Sequence, residues 1–462
     1  MKIIKGLQLQ IPEYVPVRRF TPSEMAAMDM PGMGSGTKFD DNPGMPAVLV
    51  KDGRLTVNDG VCIHGGTMDS KRSENIKFVT YNGELGGIMV EGNSKYIIDR
   101  ATMSLSGSCL GLGLERSGIF AYDGADVTVY DSNIYATGQR RSCFTVMKNS
   151  IFRAYDSTFI CMGAPFGADA PVAEEKNHMR GLFGCTWDTA RTSDMQDNSQ
   201  EFFYNCTIIG DGCCCLSVDG SEGFNRVEAN DCRMVTTKSG YGVYSDTFCH
   251  IVLNRCDMDI ASTAGVMAGE CDLTFNDCRI RSNKWIAVTH CIVSLPGQRS
   301  NLEMRNCECD SELDALSARS CNLHAVLDGC TLRPKTGVLL RSEINTGKGP
   351  HVARPAPGEE MYGIRLFLKN SVYDGDIIHE DPERDMGIYL ENCRYNGAVQ
   401  GVSIHFGKGS RWFATGDSEV IIDGDVDLSA IYAGEGVTVH AKAFADGGEY
   451  QLVGGGRIIV TN

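Results

Sequence analysis

The sequence predicts an all-β protein: a right-handed parallel β-helix, a single-stranded solenoid of about thirteen or fourteen coils behind an N-terminal arm. Three observations lead there. A short pattern recurs along the chain, as "FFYNCTIIG" from Phe202, "VEANDCRMVT" from Val227, "IVLNRCDMDI" from Ile251 and "LTFNDCRIRS" from Leu273. Each copy is an alternating run, an Asn or Asp, a small residue and a second run. A third period-two run such as "GVYSD", "IAVTH" or "ALSAR" follows, and helical periodicity is almost absent.

The small residue falls at Ser132, Ser157, Cys206, Cys232, Cys256, Cys278, Cys307, Cys330, Ser371 and Cys393. Before it stand Asp131, Asp156, Asn205, Asp231, Arg255, Asp277, Asn306, Gly329, Asn370 and Asn392, and most steps are 22 to 29 residues. The two longer steps hold loop-like insertions, "GAPFGADAPVAEEKNHMRG" and "SEINTGKGPHVARPAPGEEMYG". Three strands per step make one coil, which buries its interior only by stacking on its neighbours. The Asn or Asp supplies a tight bend and the small residue stacks inside it. Residues 1–46, rich in Pro, Met and Gly, read as an arm or cap, 47–430 as the helix, and 431–462 as terminal coils or a second cap.

Composition narrows the function classes. Hydrophobic residues make up 42% and charged residues 22%, enough apolar content for a core throughout. With 43 basic against 59 acidic residues and a net charge of -16, nucleic acid and anionic membranes are not expected partners. The opening "MKIIKGLQLQ" lacks a signal-peptide core and no run is long enough to span a bilayer, so the chain reads as cytoplasmic. The twenty Cys then read as small core residues kept as thiols, with a second ladder at Cys249, Cys271 and Cys321. Neighbours in the triple Cys213–Cys215 point to opposite faces of a strand, and no CxxC pair occurs, so no structural zinc is expected. Neither GxGxxG before a helix nor a P-loop is present; no cofactor is expected, and two aspartates alone are a thin calcium site.

This coil pattern resembles the right-handed parallel β-helix proteins of the pectate lyase-like type over residues 47–430, in architecture only. Polygalacturonase-type motifs are missing, and "RIRSNK" at 279–284 is only an echo. The resemblance implies a substrate cleft on the outer side of the "GVYSD" strands. Strict alternation puts Ile119 and Ala121, Phe144 and Val146, Leu216 and Val218, Val243 and Ser245, Val266 and Ala268, Leu316 and Ala318, and Val338 and Leu340 inside. The outward stripe then carries Phe120, Tyr122, Met147, Phe183, Ser217, Asp219, Tyr244, Asp246, Met267, Gly269, His290, Arg319, Leu339 and Arg341, ending at Ser403 and His405.

Asp219 and Asp246 on adjacent coils would stand about 5 Å apart, close enough for one carboxyl to keep its proton while the other ionises. That pairing suits proton transfer at a glycosidic oxygen or a carbon acid. Asp219, Asp246 and His290 are the expected catalytic groups. Arg319, Arg341, Tyr244, Met267, Tyr122, Phe120 and Phe183, with His178 and Arg180 of the first insertion, are the expected substrate contacts. The expected function is acid–base cleavage of a short uronic-type oligosaccharide, by hydrolysis or β-elimination. Isomerisation or elimination on a small cyclic metabolite is the alternative, and a non-catalytic carbohydrate-binding or structural solenoid the second.

Overall fold

The computed structural model describes residues 45–108, 116–138, 141–163, 190–219, 223–245, 248–290, 299–344, 363–422, 427–442 and 447–461, with the short strands Lys2–Ile4 and Leu7–Leu9. It is all-β and falls into two compact units, Met1–Ala264 and Gly265–Asn462. In the first, each full coil contributes one strand to each of three parallel sheets. The first sheet runs through Leu85–Glu91, Ile119–Tyr122, Ser142–Met147, Arg191–Met195, Cys214–Val218 and Tyr241–Ser245. A second contains Asp126–Tyr130, Ile151–Tyr155, Gln200–Tyr204 and Asn225–Asn230, and a third Asn133–Thr137, Thr158–Met162 and Thr207–Asp211.

The bend between second and third sheets fixes the coil. Every residue that precedes the small residue, from Asp131 through Gly329 to Asn392, has φ between 44° and 65°. This left-handed region disfavours a Cβ, and Asn, Asp and Gly tolerate it best. Arg255, at φ 52°, is the exception in type, and its guanidinium grips Asp231 one coil back through bonds of 2.7 and 2.8 Å. Inside the bend the small side chain donates to the carbonyl two residues earlier: Ser157 Oγ to Tyr155 at 2.7 Å, Cys206 Sγ to Tyr204 at 3.4 Å. Ser132 and Ser157 also accept from the bend one coil back, Ser132 Oγ from the Ala101 amide at 3.0 Å and Ser157 Oγ from the Ser132 amide at 3.1 Å. A larger side chain would displace these bonds.

Alternation does the rest. Phe144 from the first sheet, Phe152 and Phe203 from the second and Phe159 from the third meet on the axis, with Phe144 4.5 Å from Phe152 and 4.9 Å from Phe159. Burying each such ring is worth about 1.5–3 kcal/mol. On the outer side of the third sheet, Tyr135, Ile160, Met162, Ile209 and Val235 form an apolar patch on which Leu7 packs, so the arm has an anchor there.

In the second unit the first sheet runs through Gly265–Met267, Ala287–His290, Leu316–Arg319, Val338–Glu343 and Asp376–Glu380. The second starts at Cys271–Asn276 and Arg299–Arg305 and ends at Arg457–Thr461, and four short strands, Val372–Asp374, Arg394–Asn396, Arg411–Ala414 and Ile431–Ala433, make a late third sheet. Ser403–Phe406 pair with Gly387–Leu390 of the second sheet, so Ser403 and His405 do not belong to the first-sheet stripe expected of them. Thiols fill the bends here too, Cys307 Sγ lying 3.3 Å from the Arg305 carbonyl. All described cysteines are free and buried. No described helix is long and apolar enough to cross a membrane.

Glu201 breaks the apolar interior of the first unit. It pairs with Phe152 and Val227 on the neighbouring coils, is fully buried, and neither carboxyl oxygen has a hydrogen-bond partner of good geometry. Burial pushes its pKa well above the usual range, the Asp194 charge adds to that, and the Ser193 hydroxyl offsets only part. A raised folded pKa means that folding takes up a proton above the unfolded pKa of about 4.3, and stability falls as pH rises from there. Glu201→Gln is expected to raise the melting temperature at pH 8 and to change it little at pH 4, as thermal unfolding at the two pH values will show.

Candidate functional site

The first-sheet stripe of the first unit holds a charged cluster. The strand paired with Ser142–Met147 is Arg191–Met195, with Thr145 opposite Asp194 and Val146 opposite Met195. Asp194, not Phe183, therefore takes the stripe position between Thr145 and Ser217. The first-sheet strand is Arg191–Met195, and "RTSDM" carries no aliphatic alternation to mark it as a strand in the sequence. Its inward Ser193 is small, and its hydroxyl accepts from the Ser217 amide at 3.1 Å. Phe183, His178, Arg180 and Asp246 lie outside the described residues.

Asp194 and Asp219 share one guanidinium. Arg191 Nη1 donates to Asp194 Oδ2 at 2.9 Å and also pairs with Asp219 Oδ2. Ser217 Oγ donates to Asp219 Oδ1 at 2.9 Å, and Gln196 Nε2 to Asp194 Oδ1 at 3.3 Å. Both carboxylates are thus held by fixed donors, and they differ in exposure: the Asp194 side chain is 3% accessible and that of Asp219 25%. A ligand meets Asp219 first. Burial, and then the Asp219 charge, push the Asp194 pKa up to about 7, against the pull of Arg191. This is the environment in which one of two carboxyls keeps its proton near neutrality.

Aromatic and thioether groups flank the cluster. Phe120 and Met147 form a buried pair on the outer side, with Met89 and Tyr122 packed against them. Phe120 and Tyr122 sit 5.4 Å apart, and Lys148 Nζ lies 4.9 Å from the Tyr122 ring centre. Tyr244 is buried 5.5 Å from Tyr241, whose hydroxyl is 3.0 Å from Cys213 Sγ. Outward Phe120, Tyr122, Ser217, Asp219 and Tyr244 agree with the alternation read from the sequence.

No protein-family model, no curated protein and no solved structure matches the chain significantly.

In the second unit the register departs from expectation at two places. Gly265, Val266 and Met267 pair with Ala287, Val288 and Thr289, and Thr289 pairs with Ala318. Thr289 Oγ1 reaches Ser300 Oγ on the second sheet at 2.8 Å, so this column faces inward and Met267 with it. Met267 is an interior residue, not a substrate contact. The reason is Gly265: a Cβ there would stand 2.6 Å from Leu273 Cδ2 and 3.3 Å from Phe275 Cζ, so glycine takes the inward place that Val266 was expected to fill. The second departure is that Leu340, not Val338, stands opposite Leu316, which sets Arg341 opposite Ser317 and puts Glu343, rather than Arg341, beside Arg319.

Partners of these arginines change their meaning. His290 pairs with Arg319 in the ladder and is buried. Arg319 is bonded to Glu343 at 2.7 Å, and Arg341 to Asp314 at 2.7 Å and Glu380 at 3.2 Å. They are held in ion pairs and are not open donors for a substrate anion. Among the described residues no group of three His, Cys, Asp or Glu side chains is placed to hold a metal ion.

Gly265→Ala is expected to cost about 1–3 kcal/mol, because the added methyl enters a filled interior. Urea unfolding will measure it; an unchanged midpoint would return Met267 to the outer face.

Proposed function

We propose that the protein is a β-helix enzyme that cleaves a short uronic-type oligosaccharide by acid–base chemistry, with Asp219 as the carboxylate that meets the substrate. The observation that carries this reading is the shared guanidinium: Arg191 holds Asp219 and Asp194 together while burial keeps a proton on Asp194 near pH 7. Asp194 is a positioning residue. While it is neutral, the Arg191 guanidinium faces Asp219 as its charged partner and holds that carboxylate in place.

In the β-elimination form, Asp219 takes the proton on the carbon next to the uronate carboxyl. The electron pair left behind forms a carbon–carbon double bond, and the glycosidic oxygen departs from the neighbouring carbon, taking a proton from water, to which Asp219 then returns its own. In the hydrolytic form the same carboxylate activates water. Phe120 and Tyr122, three strands along the same face, supply apolar surface and Lys148 a cation. The architectural likeness to pectate lyase-like β-helices supports a carbohydrate substrate, and the reading keeps the protein in the cytoplasm, acting on short fragments. The buried rings favour, as a second reading, a compact cyclic metabolite undergoing isomerisation or elimination.

Activity is tested on uronic di- and trisaccharides, with new reducing ends and the ultraviolet absorbance of an unsaturated uronide as separate readouts. Asp219→Asn is expected to lower kcat by about 10²–10⁴. Asp194→Asn is expected to retain part of the activity but to abolish an ionisation near pH 7 in the kcat/KM profile. Substrate turnover untouched by Asp219→Asn would end the proposal.

A further inference from the structure

A second feature lies in the late third sheet, and it does not depend on the reading of Asp219. Arg394 and Arg411 stand directly opposite each other on adjacent parallel strands. Their neighbours Tyr395 and Trp412 are fully buried, so both arginines face outward. Like charges in this register repel. Several other arginines of the unit are matched with acids: Arg319 with Glu343, Arg341 with Asp314, Arg365 with Asp385, Arg457 with Glu449. In a chain with net charge -16, acidic partners are plentiful.

This pair has none among the described residues. Arg394 donates through Nε to the neutral Asn396 Oδ1 at 2.7 Å, and its guanidinium packs 3.8 Å from the centre of the Phe413 ring. That stacking orients the flat fork and leaves its outer N–H groups for another acceptor. Arg411 is exposed and makes no described side-chain bond. Both line an open groove of about 430 Å³, together with Asn370, Asn392, Gly409 and Phe413. Asn392 Nδ2 donates to Asn370 Oδ1 at 3.0 Å, and Asn370 Nδ2 to Asp328 Oδ1 at 2.7 Å, which orients both amides and leaves each a second N–H. Groove, unneutralised charge and oriented amides all favour the same guest.

We propose that this groove binds an oxyanion, with Arg394 and Arg411 donating from two adjacent coils and the Asn370 and Asn392 amides beside them. A planar carboxylate and a tetrahedral phosphate or sulfate both match guanidinium forks. Two sources are separable: free inorganic phosphate, and the carboxylates of a uronic disaccharide.

Each is titrated calorimetrically into the full chain at low ionic strength. Saturable phosphate binding at one site per chain, and disaccharide binding at one site besides that of Asp219, are expected, the groove site weakened about tenfold by Arg411→Gln and by Arg394→Gln. Arg457→Gln, an exposed arginine outside the groove, is expected to leave it unchanged. Because Arg411 makes no described side-chain bond, its variant is expected to keep the parent melting temperature. Phosphate binding alone identifies a free-anion site, and preference for the disaccharide a glycan subsite; both support the proposal. No saturable binding of either, or binding indifferent to both groove variants, overturns it.

Discussion

The left-handed bend that closes each coil is the constraint on which everything else depends. A residue at positive φ turns the chain from one sheet into the next, and a Ser or Cys immediately after it fills the inside of that bend. The repeat then places every following strand one coil spacing on, in register. Side chains on the bend residues reinforce this, as Asn205 Nδ2 reaches Asp156 Oδ1 at 2.6 Å and Asn306 Nδ2 reaches Asp277 Oδ1 at 3.2 Å. Once the bends are set, alternation decides what is core and what is surface.

Ionic contacts between coils act on the same register. Arg153 with Asp126, Arg255 with Asp231 and Arg319 with Glu343 each span one coil. Exposed pairs of this kind contribute at most about 1 kcal/mol each. Their larger effect is on specificity: slipping a strand by one residue sends these charges to the wrong face and sets like against like. The Asp194–Arg191–Asp219 cluster is the buried counterpart of these contacts, and there the low polarity of the surroundings shifts the carboxyl itself.

How much of this was legible in the sequence followed from which forces were local. The bend residues were readable because left-handed backbone selects Asn, Asp and Gly through their own sterics. The alternation at Ile119–Tyr122 and Ser142–Met147 was readable because aliphatic and aromatic side chains mark the inner face. Legibility failed where the interior was set by other strands. At Gly265 the space was already taken by Leu273 and Phe275, and at Arg191–Met195 the inner position is a serine. The site suffered the same way. Asp219 was found from its strand, but its described carboxylate partner is Asp194 on the preceding coil, hidden behind an insertion of uncertain end. Arg319 and Arg341 were read as open donors because Glu343, Asp314 and Glu380, their partners, come from a shifted strand, a loop and another coil.

Stacked thiols give the protein a property unrelated to its chemistry with ligands. From Ser142 to Pro334 each described coil carries one or more cysteines, each shut inside its bend or core, and burial keeps thiols such as Cys214 and Cys309 from ionising. An alkylating reagent reaches such a sulfur only when its own coil opens. Neighbouring coils in a solenoid are coupled chiefly to each other, so opening is expected to be graded along the stack. The bends thereby form a ruler of natural reporters, in which the order of modification spells out the order in which the coils unzip.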